Sequence, residues 1–116
     1  MSRSDEDRVA DMLMAANEIA SVTDRGRNAF DDDIVLRRAV ERSLEILGEA
    51  AKSISAQLAA SHPEVPWSEM AKVRDRLSHH YHRIDPGQLW MIATVEVPAV
   101  AEQLKALAAL EETRDT

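Results

Sequence analysis

An all-α fold, an antiparallel bundle of four to five helices, is what this sequence predicts, on three observations. Apolar residues recur at helical spacing in four separate segments, and no alternating strand pattern lies between them. Three Gly and four Pro leave too little turn material for an all-β chain of 116 residues. That length supports a single domain, 1–116, with one modest hydrophobic core, ordered over about residues 4–110 and frayed over 111–116.

The first segment covers about residues 4–23. Ser4 is a candidate N-cap with acids in the turn after it, and Val9, Met12, Leu13, Ala16 and Ala20 share a face. DRGRNAFDDD, with Gly26 and Asn28, interrupts it. In the second segment Leu36, Val40, Leu44, Leu47, Ala51, Ile54 and Leu58 form one stripe, widened by Val35, Ala39, Ile46 and Ala50. A helix apolar on two flanks needs two neighbours, within the subunit or across a dimer. Gly48 in mid-stripe costs helix stability, about 1 kcal/mol relative to Ala, and its return is the close approach of another backbone.

Pro66 suits the first position of a third helix, with Trp67, Met70, Val73 and Leu77 as its buried edge. His62, before Pro63 in the preceding linker, reads as a solvated loop residue. Asp85, Pro86 and Gln88 form a capping-box arrangement that opens a fourth helix, with Leu89, Ile92, Ala93, Val97, Val100, Leu104 and Leu107 on its apolar face. Pro98 lies inside that helix and removes one backbone donor, which predicts a kink near residues 94–97.

Charge is unevenly placed. The chain carries −7 overall, which argues against broad, non-specific nucleic-acid binding. Yet Lys72, Arg74, Arg76 and Arg83 against Asp75 give the stretch 72–83 a local charge of +3, so a single phosphate could be held there. There are no cysteines, hence no thiolate metal site and no cysteine nucleophile. Neither a signal peptide nor an apolar run of bilayer length is visible, so a cytoplasmic location is expected, with no membrane association.

RDRLSHHYHR, residues 74–83, gathers three Arg, three His and the one Tyr of the chain. Imidazole accepts and donates protons near neutral pH, and arginine holds a phosphate in bidentate fashion and stabilises its growing charge. Together they suffice to cleave RNA without metal or other cofactor, by attack of the 2′-hydroxyl on the adjacent phosphorus. Arg74 and His79 stand five apart, roughly 140° on the helical wheel. Either the helix ends near Ser78 or two copies of the segment assemble the site, and the second geometry favours a homodimer. Two other readings stay open. Cations at a helix C-terminus complement its dipole, and His79, His80, His82 and His62 could form a zinc site, although no cysteine completes one.

Arg74-Asp75-Arg76-Leu77-Ser78-His79-His80-Tyr81 matches the R-x4-H-x-Y form of the HEPN motif, and the chain resembles the HepT toxins. "RRAVERSLEILGEAAKSIS", "HPEVPWSEMAKVRDRLSHHY", Asp85 and "VPAVAEQL" extend the similarity over about residues 7–110. The resemblance implies a homodimer with its R-x4-H segments lining a cleft between subunits. It implies a metal-independent ribonuclease toxin acting on tRNA or mRNA, paired with an MNT-type nucleotidyltransferase antitoxin. Arg74 and His79 take the catalytic positions, and Tyr81 that of the tyrosine modified with AMP. Asp75, Arg76, His80 and His82 are supporting or phosphate-binding candidates. Two positions depart from the family's pattern: Asp75 stands where Asn is common, and His80 where Gly is usual. The alternatives are a catalytically silent HEPN module that binds a nucleotide or the partner enzyme, and a structural helical dimer.

Overall fold

A computed structural model of the chain describes residues 1–78 and 84–114. Helix α1 spans Arg3–Thr23, α2 Arg27–Asp32, α3 Ile34–Lys52, α4 Ala56–Ser61, α5 Trp67–Ser78, α6 Pro86–Met91 and α7 Val97–Arg114, with a π-helical segment, Ile92–Glu96, joining the last two. Among the described residues there is no strand. The four amphipathic segments are thus α1, α3, α5 and the α6–α7 rod. The two extra helices are short: α2 falls in the interrupting stretch after α1, and α4 takes the end of the stripe that reaches Leu58.

Local chemistry explains both additions. Gly26 has φ of +93°, a conformation open to glycine, and it turns the chain out of α1. The carbonyl of Gly26 accepts from the N–H of Phe30 to start α2, whose Phe30 ring is wholly buried. That ring packs on Trp90 with centroids 5.1 Å apart, and the Arg27 guanidinium lies over the Trp90 ring, 5.8 Å from its centre. Asp33 then caps α3 by accepting from the N–H of Val35 at 2.9 Å.

The stripe read as one helix from Leu36 to Leu58 is divided. Helix α3 stops at Lys52, and Ser55 caps the separate α4 by accepting from the N–H of Leu58 at 3.1 Å. Leu58 still reaches the core at 3% exposed, because the turn between the helices preserves its side. Helix α1 begins one residue before the expected start, with Ser2 rather than Ser4 as its cap, accepting from the N–H of Asp5 at 3.0 Å.

Contacts fix the packing. Asp5 meets Ser55 and Glu18 meets Ser43, so α1 and α3 run antiparallel. Met12, Ile19, Val40, Leu89, Leu104 and Leu107 fill the space between α1, α3 and the α6–α7 rod. Helix α5 covers the second apolar flank of α3. Inside one subunit α1 and α5 thus cover Val40, Leu44, Leu47, Ala50 and Ala51, whereas Val35, 68% exposed, and Ala39 on the widened stripe stay exposed. Gly48 performs as its position suggests. A Cβ there would run into the Cβ of Arg74 and come within 2.6 Å of the Met70 carbonyl oxygen.

Pro98 is accommodated by the π-helical segment rather than by a break. The N–H of Val97 reaches back to the carbonyl of Ile92, a wider turn than the α-helix allows, and Thr94 Oγ1 donates to the Trp90 carbonyl at 2.7 Å. The interruption sits at 92–96, slightly before the expected kink.

Two sequence expectations are overturned at the far end of the bundle. His62 is buried, not solvated: its Nδ1 lies 3.1 Å from Glu64 Oε1 and its Nε2 3.3 Å from Glu111 Oε1. The tail does not fray at residue 111. Helix α7 continues to Arg114, and Glu111 is buried between His62, Arg114 and the amino group of Met1. Helix α7 returns along α1 and supplies a carboxylate 49 residues from the histidine, a pairing no local pattern reveals.

Asp5 ties the start of α1 to the turn before α4. Its carboxylate accepts from the Ser55 N–H at 3.0 Å and from the Ser55 hydroxyl at 2.7 Å. Burial would raise its pKa, but those bonds, with a smaller contribution from Ser2, outweigh burial and hold it below the ordinary 3.8.

Two outcomes are expected. Gly48→Ala removes the helix penalty of glycine, about 1 kcal/mol, yet pushes a methyl group into the backbone of α5, which costs about 1–3 kcal/mol. Urea denaturation should show net destabilisation, and a stabilised variant would show that α5 can yield. Because the Asp5 pKa is lowered on folding, its stabilisation is present above the unfolded value and lost as pH falls through the folded one. Asp5→Asn should cost about 1–3 kcal/mol at pH 7. The gap between variant and parent should close in acid below about pH 4, as read by thermal unfolding across pH.

Candidate functional site

Helix α5 carries Lys72, Arg74 and Arg76, and its position is set at its start and along its buried edge. At its start, Trp67 Nε1 donates to the His62 carbonyl at 3.0 Å, and Gln103 Nε2 of α7 donates to the Glu64 carbonyl at 3.0 Å. Met70 and Leu77 turn toward the core beside Val73, which keeps the polar residues of the last turns outward. After residue 83 the chain is anchored again by buried Ile84 and by Asp85, which accepts from the N–H of Gln88 at 3.0 Å to cap α6.

The described part of the motif runs from Arg74 to Ser78, and its charged residues are Arg74, Asp75 and Arg76. Arg74 leaves α5 where its Cβ abuts Gly48, and its side chain is 33% exposed. Its Nη1 lies 3.2 Å from Asp75 Oδ1. The same carboxylate oxygen lies 3.6 Å from Lys52 Nζ, reaching across from the last turn of α3. One acid thus stands between two cations, and this trio carries +1. Asp75, which stands where the family pattern commonly has Asn, is thus paired with Arg74 and, in addition, with Lys52.

Arg76 is separated from this group. Two residues on a helix are about 200° apart, so Arg76 leaves the other side of α5, where its Nη2 lies 3.4 Å from Gln88 Oε1 of α6. There it stands at the edge of an open cleft of about 600 Å³ between α5 and the α6–α7 rod. Leu44, Leu47, Val73, Ile92 and Val100 line the cleft together with polar residues that include Glu69, Glu96 and Gln103. The structure therefore brings Arg74 and Asp75 together with Lys52 and places Arg76 elsewhere.

His79, His80, Tyr81 and His82 lie outside the described residues, as does Arg83. Among the described residues no group of three or more His, Asp or Glu side chains could hold a metal ion. His62, a member of the conceivable zinc set, has both ring nitrogens facing carboxylates. No described helix is long and apolar enough to cross a membrane.

Lys52 is the residue that sequence reasoning did not select. A signal existed: Gly48 and Lys52 are four apart, which puts them on one face of α3. What was missing was the knowledge that this face receives α5.

The chain is similar to known proteins over most of its length. The family model described as Ribonuclease HepT-like matches residues 12–107. A protein named "Probable ribonuclease HepT" from Thermococcus cleftensis is 36% identical over 110 residues, covering 92% of this chain and 98% of that one. "Putative RNase MJ1380" of Methanocaldococcus jannaschii is 38% identical over 82% of this chain and 88% of its own length. "Putative RNase TTE0752" of Caldanaerobacter subterraneus is 40% identical over 67% of this chain and 70% of its own. No solved structure matches the chain.

Proposed function

Because this chain belongs to the HepT-like ribonuclease family, we propose that it is an endoribonuclease toxin that cleaves RNA by attack of the internal 2′-hydroxyl. The observation that carries the reading is Arg74. Family membership is joined there by a half-buried guanidinium, oriented by the α3–α5 contact, five residues before His79 in an R-x4-H-x-Y segment.

The chemistry follows from the residue types. The imidazole of His79 takes the proton of a 2′-hydroxyl, and the resulting oxygen attacks the adjacent phosphorus. Arg74 stabilises the charge that builds on the pentacoordinate phosphorus. The bond from phosphorus to the 5′-oxygen breaks, that oxygen receives a proton from a second imidazole, and the products end in a 2′,3′-cyclic phosphate and a 5′-hydroxyl. DNA has no internal nucleophile at that position. The step requires no metal, and the substrate class is RNA, tRNA or mRNA. His80 and His82 are available to the second proton transfer, while Arg76 can contact a flanking phosphate.

The reading includes a homodimer whose motif segments share one cleft, which resolves the angular offset between Arg74 and His79. It also includes a cytoplasmic toxin–antitoxin pairing, with an MNT-domain nucleotidyltransferase that transfers AMP to Tyr81. Each AMP adds one phosphodiester charge and an adenosine two residues from His79, against a local charge of +3 over residues 72–83. One observation favours a second reading, a silent nucleotide- or partner-binding HEPN module: Asp75 occupies a donor of Arg74.

Incubation with tRNA and total RNA in EDTA separates the two readings. Cyclic phosphate ends support cleavage, and nucleotide binding without cleavage supports the silent module. Arg74→Ala and His79→Ala should each lower the cleavage rate by about 10²- to 10⁴-fold with helix content unchanged by circular dichroism. Parental activity in either folded variant would remove its residue from the mechanism. With a cognate nucleotidyltransferase, ATP and Mg²⁺, peptide mass spectrometry should find AMP mass increments on Tyr81, and Tyr81→Phe should block them. Increments on another residue would return Tyr81 to a packing role.

A further inference from the structure

We propose that Lys52 is a positioning residue for the RNA site: it neutralises Asp75 across the α3–α5 contact, so that Asp75 does not cancel the charge that Arg74 presents to an RNA phosphate. This inference rests on the ribonuclease reading and assigns it a residue outside the R-x4-H-x-Y segment.

Three observations converge on Lys52. Its ammonium is 3.6 Å from Asp75 Oδ1, the same oxygen that lies 3.2 Å from Arg74 Nη1. It sits four residues after Gly48, on the face of α3 that receives α5, and the Gly48–Met70 approach brings the last turn of α3 within reach of Asp75. The other described cations of the region are engaged elsewhere, Lys72 with Glu69 at 3.4 Å and Arg76 with Gln88 at 3.4 Å.

The physical case concerns charge rather than stability. Both side chains are about half exposed, 59% and 49%, so the Lys52–Asp75 pair adds little to folding. Its effect on a phosphate is of a different kind. Without Lys52, Asp75 keeps Arg74 as its one cationic partner among the described residues, so the carboxylate draws the guanidinium to itself and competes with a phosphate for it. In partly solvated surroundings, one charge at these distances changes anion affinity by a factor of about three to ten.

The test is a double-mutant cycle between Lys52 and Asp75, with Lys52→Arg as the conservative control. The probe is a fluorescently labelled 2′-O-methyl oligoribonucleotide, which lacks the nucleophile and is not cleaved. Its dissociation constant is read by anisotropy, and cleavage of unmodified RNA is measured separately. Lys52→Ala should weaken binding of the oligonucleotide about three- to tenfold, with the melting temperature unchanged and Lys52→Arg close to the parent. In cleavage assays the loss should appear in KM more than in kcat. Combining Lys52→Ala with Asp75→Asn should restore affinity to within about twofold of Asp75→Asn alone, because the anion that Lys52 offsets is gone.

A loss of equal size with Asp75 present or replaced would mean that Lys52 grips phosphate directly, and would overturn the proposal. Parental affinity in Lys52→Ala, or no binding of the oligonucleotide by the parent, would overturn it as well. A parent that binds the oligonucleotide yet leaves unmodified RNA intact would instead overturn the ribonuclease reading, with the cycle still deciding the role of Lys52.

Discussion

The close approach of α5 to α3 at Gly48 is the constraint on which the rest of this structure depends. With hydrogen in place of a side chain, the carbonyl of Met70 and the Cβ of Arg74 come to rest directly on α3. That contact sets the rotation of α5. Once Arg74 is placed against α3, Asp75 follows toward Lys52, and Arg76, about 200° from Arg74, is carried to the opposite side beside Gln88. A site built on the position of one guanidinium gains from a rigid backbone beneath it, because small displacements of a charge-stabilising group cost rate steeply.

Around that contact, buried polar groups hold the ends of the helices. Asp5 and Ser55 fasten the start of α1 to the turn after α3, and His62, Glu64 and Glu111 fasten the linker before α5 to the last turns of α7. Asp5, His62 and Glu111 among them are taken out of water and given partners, so removing one partner would leave another unsatisfied. Helix α5 is thereby held at its first turn, tied to the linker, and at its middle, pressed on Gly48. The motif thus begins on a fixed element and continues beyond it.

The electrostatics depart from a simple basic patch. An acidic protein of net charge −7 places an aspartate next to its principal arginine. The fold answers with a lysine from another helix. The outcome is a group of alternating charges with a small positive excess, suited to one phosphate rather than to a length of nucleic-acid backbone. An arrangement of that kind is sensitive to any single added anion.

The helical class, the four amphipathic segments, the close approach at Gly48 and the R-x4-H-x-Y resemblance were legible in the sequence, because each is written in spacings of three to five residues. Ser2 and Ser55 as caps, and the division of the long stripe, were less legible: an apolar stripe continues through a short turn as readily as through a helix. The burial of His62 and Glu111, the order of the tail to Arg114, and the meeting of Lys52 with Asp75 belong to the tertiary structure alone. They join residues 49 and 23 positions apart that only helix packing brings together. Local pattern reports which face of a helix is apolar, but it carries no distance between one helix and another. The partners of a buried histidine or an exposed lysine are decided when those faces meet.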